Sequence, residues 1–131
     1  MEWAAYLAAT RKPPEENESE LFLIGWAPST AEARWILYPL YTTEQWVPKG
    51  NNRSFFSNKE FDELVNKFTR ATNKAEMDKY LKEAQELLVK EAPSIFLLVT
   101  KETIGYHHKL KGVINSPLEL TYFDHKTYLE K

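Results

Sequence analysis

The sequence predicts an α/β fold, a short mixed sheet with three to four helices packed on it. Two continuous apolar runs, Leu21–Trp26 and Ser94–Thr100, read as strands buried on both faces, as in parallel or mixed sheets. Between them lie two segments whose apolar residues recur at spacings of three and four, the helical period. Pro, Gly and Asn clusters separate the runs from the helices.

The elements follow in chain order. Glu2–Thr10 predicts a short amphipathic helix, with Trp3, Tyr6, Leu7 and Thr10 on one stripe. Arg11–Glu20 is a polar, acidic, Pro-containing segment and reads as a solvated loop. After the Leu21–Trp26 run, Pro28-Ser29-Thr30 breaks the strand. Ser29 or Thr30 is placed to cap a helix over Ala31–Leu37, which Tyr38-Pro39 ends or kinks because Pro39 has no amide hydrogen. Tyr41–Phe56 reads as a long loop, with Trp46 and Phe55 flanking a polar tip; loops of this length are often functional.

Ser57-Asn58-Lys59-Glu60 has the form of a capping box led by Ser57. Its helix runs to about Ala71, with Phe61, Leu64, Val65 and Phe68 inward. Asn73 caps the next helix, which runs to about Glu91 on a stripe of Met77, Tyr80, Leu81, Ala84, Leu87 and Leu88. Ala92-Pro93 stops it. Beyond the second run, Glu102–Lys109 continues extended after a bend. Lys111–Ile114 and Leu118–Phe123 are weaker strands, and the polar tail Asp124–Lys131 is expected to fray.

Composition narrows the function. The 131 residues are enough for one domain with a core. The net charge of -2 gives no basic excess for phosphate neutralisation, which disfavours nucleic acid as a partner. The absence of cysteine excludes disulfides, thiolate metal sites and Cys nucleophiles. No apolar run approaches the roughly 20 residues of a membrane helix. Glu2 stands where an export signal carries positive charge, so none is expected at this N-terminus.

No catalytic constellation is visible, so the chain does not read as an enzyme, and no cofactor is implied. His107-His108 on a strand would point to opposite faces, poorly placed to share a metal; no metal site is expected. The distinctive stretch is Gly25–Trp35. Ligands of open α/β sheets bind where strands end and helices begin. Trp26 stands at such an edge, beside the Ser29 and Thr30 hydroxyls and the amides of a first helical turn, which suit a carboxylate or other polar group. The alternative is that Trp26 and Trp35 pack the strand–helix corner while Ser29 caps the helix.

Four pieces resemble, in order, the C-terminal part of the peptide-type solute-binding proteins of ABC importers, the dipeptide, oligopeptide, glutathione and nickel class known as solute-binding protein family 5. They are MEWAAYL, LFLIGWAPSTAEARWILYPLY, NNRSFFSNKEFDELVNKF and AEMDKYLKEAQELLVKEAPSIFLL. The second is nearest to the glutathione-binding branch. The resemblance implies an extracytoplasmic protein whose two lobes close on a peptide-like or other small polar ligand and deliver it to an ABC permease. The chain then corresponds to a single, incomplete domain, residues 1–131, in a periplasmic-binding-protein-like lobe. Trp26 lines the cleft, Ser29, Thr30 and Trp35 contribute to its wall, and the Asn51-Asn52 loop rims it. Oligopeptide and dipeptide members carry an Asp three residues after that Trp, which grips the ligand's α-amino group. Here the position is Ser29, so the charge partner is missing. Family members are several times longer, and strands lacking neighbours would expose edges and apolar surface. Self-association, or association with the missing lobe, is the expected consequence. The rival expectation is a structural or interaction protein that keeps the α/β core and binds no small ligand.

Overall fold

The computed structural model describes residues 1–28, 30, 32–101, 103–115 and 121–131. For Asn115, Thr121 and Tyr122 only the backbone is described. Four α-helices come first: α1 Trp3–Thr10, α2 Arg34–Tyr41, α3 Lys59–Arg70 and α4 Lys74–Glu91. Four two-residue strands follow: β1 Leu110–Lys111, β2 Ile114–Asn115, β3 Thr121–Tyr122 and β4 Tyr128–Leu129.

The long helices form where the pattern places them. The Phe61, Leu64, Val65 and Phe68 stripe of α3 is buried, and α4 lies along it with Ala84 and Leu88 inward. Ala84 is fully buried, so the two helices meet over a residue with almost no side chain. Leu37 and Tyr41 of α2 complete the core. Phe61 sits at its centre, with Tyr41 and Phe56 edge-on to it at 6.4 and 5.5 Å between ring centroids. Edge-to-face geometry sets the positive rim of one ring on the negative face of the other.

The ends of the helices follow from side-chain oxygens meeting orphan amides. The N-cap of α3 is Asn58, whose carbonyl oxygen accepts from the Phe61 amide at 3.1 Å. The capping box led by Ser57 is therefore corrected by one residue; Ser57 instead shares a hydrogen bond with the Thr43 hydroxyl at 3.1 Å. Asn73 caps α4 through the Glu76 amide at 2.9 Å, as expected. At its other end Ala92 takes the left-handed conformation, φ 48°, just before Pro93. Glu2 caps α1 by accepting from Ala4 and Ala5.

The apolar runs differ from expectation. Leu21–Trp26 and Ser94–Thr100 form no strand and pair with no neighbour among the described residues. Leu21 and Leu23 are exposed, while Phe22 and Ile24 are half buried. Ile95 to Val99 are all exposed, Val99 to 95%. The predicted mixed sheet under the helices is thus not formed among the described residues, and the helices pack on one another. An apolar run specifies a buried strand only when neighbouring strands are present to take its backbone groups.

The strands that do form are antiparallel and nested, β2 with β3 inside β1 with β4. Leu110 faces Leu129, Lys111 faces Tyr128, Ile114 faces Tyr122 and Asn115 faces Thr121. Of the Leu118–Phe123 strand expectation, residues 118–120 lie outside the described residues. The tail does not fray. The Asp124 carboxylate accepts from the Lys126 amide at 2.8 Å, turning the chain back so that Tyr128–Leu129 pairs with β1. Between β1 and β2, Gly112 has φ +71°, and a Cβ there would collide with the Lys126 carbonyl, so only glycine fits without strain.

Candidate ligand-binding site

The geometry around Trp26 starts from a proline inside a helix. α2 runs Arg34–Tyr41 and contains Pro39. The expected helix over Ala31–Leu37, capped by Ser29 or Thr30 and ended or kinked at Pro39, is corrected in its bounds and in the Thr30 cap, and the helix does not end at the proline. The helix starts at Arg34 after Ala33, no side chain among the described residues caps it, and it continues past the proline. Ser29 and Ala31 lie outside the described residues. Thr30 is exposed.

Pro39 has no amide hydrogen to give to the carbonyl four residues back, which belongs to Trp35. That carbonyl accepts instead from the indole Nε1–H of Trp26 at 2.8 Å. One bond therefore ties the end of the Leu21–Trp26 run to α2. It brings together the two tryptophans singled out in the sequence. Both rings stay partly open to solvent, Trp26 at 41% and Trp35 at 46%. The Arg34 guanidinium lies 5.7 Å from the Trp35 ring centroid, a cation–π arrangement. From the other side α1 steadies the approach to Trp26, because the Tyr6 hydroxyl donates to the Leu23 carbonyl at 2.6 Å. Trp3 stacks on Tyr6 at 5.7 Å.

The Tyr41–Phe56 segment is not a structureless loop. It holds a 3₁₀ turn, Thr43–Gln45, and a bridge between Trp46 and Asn52. The Asn52 side chain is buried and donates to the Thr42 and Phe56 carbonyls at 3.0 and 2.9 Å. The Trp46 indole donates to the same Phe56 carbonyl at 2.9 Å. Asn51 accepts from the Arg11 guanidinium at 2.8 Å, and Arg11 also donates to the Pro48 and Gly50 carbonyls, both at 3.1 Å. The bonds recorded for Asn51 and Asn52 thus fasten the loop to α1's end and to itself. None of them runs to Trp26 or Trp35.

Arg53, in the same loop, was not singled out in the sequence. It is 7% exposed, and its buried Nε finds no hydrogen-bond partner among the described residues. Burial first, and then the neighbouring Arg11 charge, holds its pKa below the usual arginine value.

Two open surface depressions lie elsewhere. One of about 420 Å³ runs between α3 and α4, lined among others by Glu63, Lys67, Arg70 and Tyr80. Another of about 350 Å³ is lined by Thr42, Glu44, Asp62 and Asn66. Neither includes a candidate site residue. His107 and His108 stand with their rings 4.4 Å apart, since the segment is a turn entry and not a strand, so the opposite-face expectation is corrected. Among the described residues no group of three or more His, Asp or Glu side chains is gathered for a metal ion. No described helix is long and apolar enough to cross a membrane.

What this arrangement offers chemically is two half-exposed indoles, the Trp26 ring bonded to the Trp35 backbone, with a guanidinium beside the Trp35 ring and an exposed Thr30 nearby in the chain. Pro39 escaped the sequence reading as part of it, although the signal is there as a tryptophan four residues before a proline.

No protein-family profile matches the chain. Curated proteins do. The sequence is 34% identical over 101 residues to the glutathione-binding protein GsiB of Escherichia coli strain K12, and equally so to that of Shigella flexneri. It is 35% identical over 101 residues to the glutathione-binding protein GsiB of Salmonella choleraesuis. In each case the match takes in 77% of this chain and 20% of the relative, so the chain spans about a fifth of the length of the curated relatives it matches.

Proposed function

We propose that this chain, which is related in sequence to the glutathione-binding members of solute-binding protein family 5, forms part of the ligand-binding body of an ABC-importer solute-binding protein. The observation that carries the reading is the bond from the Trp26 indole to the Trp35 carbonyl. It fixes the half-exposed Trp26 ring to the backbone of the residue that carries the half-exposed Trp35 ring, inside one of the segments that resemble the family. Trp26, Ser29, Thr30 and Trp35 supply one wall of a cleft. Asn51 and Asn52 shape its rim by fixing the loop, and do so through bonds to Arg11, Thr42 and Phe56. The chain performs no chemistry of its own. Its ligand is peptide-like, with glutathione the first candidate, and Ser29 in place of an acidic residue removes a charge partner for an α-ammonium group. In the whole protein the ligand passes to a permease outside the cytoplasm, and the chain is one incomplete domain of a periplasmic-binding-protein-like lobe.

The exposed runs fit this reading. Leu21–Ile24 and Ile95–Val99 have the composition of strands without pairing as such, and on this reading their sheet neighbours belong to the remainder of a longer protein. The same exposure favours a second reading, a chain that self-associates through those runs and binds no small ligand. Equilibrium dialysis against reduced glutathione separates the two. The first reading expects saturable binding that falls at least about tenfold in Trp26→Ala, the size of effect of losing one central aromatic contact. No binding to the chain, or binding indifferent to Trp26, contradicts it.

A further inference from the structure

We infer that Pro39 is a positioning residue for Trp26: by withholding an amide hydrogen from the Trp35 carbonyl, it hands that carbonyl to the Trp26 indole and so sets the plane of the ring. The inference rests on the reading of Trp26 as a wall of the ligand cleft for its functional meaning, but not for its geometry.

In a regular helix the carbonyl of Trp35 lies along the axis and accepts from residue 39. A proline at that position removes the donor, and its ring presses on the same carbonyl, tilting it outward. Pro39 is buried, so its ring cannot swing away from the turn. That carbonyl accepts from the Trp26 Nε1–H at 2.8 Å. This joins two features that the sequence leaves unrelated, a proline that should damage a helix and a tryptophan thirteen residues earlier.

A consequence for specificity follows. The indole N–H is a single donor and has no acceptor capacity. With that donor spent on Trp35, Trp26 offers a ligand its ring face and carbon edge only. The group that meets it is therefore apolar, planar or cationic, held by stacking or cation–π attraction. A ligand oxygen that needs a donor finds it elsewhere in the cleft.

The test is solvent exchange of the Trp26 indole hydrogen by ¹H–¹⁵N NMR on the chain, with Trp26→Phe used to assign the signal. Pro39→Ala restores the backbone donor and raises helix propensity, so the variant folds. The expected result is exchange about fivefold faster in Pro39→Ala, the population change from losing one ordinary hydrogen bond. A helix that becomes more stable while the indole exchange rate stays unchanged overturns the inference, since that is what a purely structural proline gives. A titration with reduced glutathione provides the second readout. If the wild-type chain binds, Pro39→Ala is expected to bind about fivefold more weakly, and equal binding overturns the positioning role. If neither binds while exchange accelerates, Pro39 still positions Trp26, and it is the cleft reading that fails.

Discussion

Asn52 illustrates how a polar side chain serves the fold when it is buried. Its amide donates to two backbone carbonyls, each shared with a second donor (the Gln45 amide at Thr42 and the Trp46 indole at Phe56), and it closes the Trp46–Asn52 turn. Asn52→Ala is expected to cost about 1–3 kcal/mol, because two buried hydrogen bonds are lost at about 0.5–1.5 kcal/mol each, although the Thr42 carbonyl keeps the Gln45 amide and the Phe56 carbonyl the Trp46 indole. The shift of the urea midpoint measures it, and a change within error contradicts this assignment. Arg53 is the opposite case. A guanidinium buried beside Arg11 with one nitrogen unpartnered is a cost to the isolated chain. Arg53→Met keeps the apolar stem and removes the charge, and it is expected to leave stability equal or raised by up to about 1 kcal/mol in the same urea experiment. A loss of stability would mean that the bond from Arg53 Nη1 to the Asn51 carbonyl at 3.4 Å outweighs the cost of burying the charge.

At the scale of elements, what was legible depended on whether the signal was local. The stripe Phe61, Leu64, Val65, Phe68 and the stripe of α4 each specify a face by spacing alone, and both helices lie where the spacing puts them. Caps are also local, but Ser57 and Asn58 are both good N-cap residues, and only the backbone decides that Asn58 is the one used. Asn58→Ala is expected to cost about 1 kcal/mol and Ser57→Ala less than half of that; thermal denaturation of the two variants ranks them. Ala92 is strained at φ 48°, so Ala92→Gly is expected to stabilise the chain by about 0.5–1 kcal/mol. The apolar runs were misread because a strand is not a local object. Leu21–Trp26 and Ser94–Thr100 have strand composition, yet hydrogen-bonded neighbours make a strand, and those lie beyond the information in the run itself. The tail was misread for the converse reason. His125–Lys131 has no apolar face to announce it, and its pairing rests on the Asp124 turn and backbone bonds to β1.

The candidate site was legible in part. Trp26 and Trp35 were marked by their place between a run and a helix, and the structure ties them together. The agent of that tie, Pro39, was read only as a breaker, because its effect on a carbonyl becomes visible once the helix is seen to continue past it. Asn51 and Asn52 were marked by loop composition, which cannot tell a side chain that faces a ligand from one that secures its own backbone.

For the molecule as a whole, the contrast between its halves is the main fact. The α2–α3–α4 core is closed around Phe61, whereas the runs on either side of it present leucine, isoleucine, phenylalanine and valine to solvent. Exposed apolar segments of this kind associate. The chain is expected to self-associate as its concentration rises, and Phe96→Lys with Leu98→Lys is expected to return it toward a monomer in sedimentation velocity. The central claim is that Trp26 and Trp35 form a wall for a peptide-like ligand. Its most direct test is Trp emission of the chain titrated with reduced glutathione, with sedimentation followed in the same samples. The account predicts a saturable emission shift that is lost in Trp26→Ala and does not depend on the state of association. Emission that stays flat at every glutathione concentration, in monomer and oligomer alike, would contradict it.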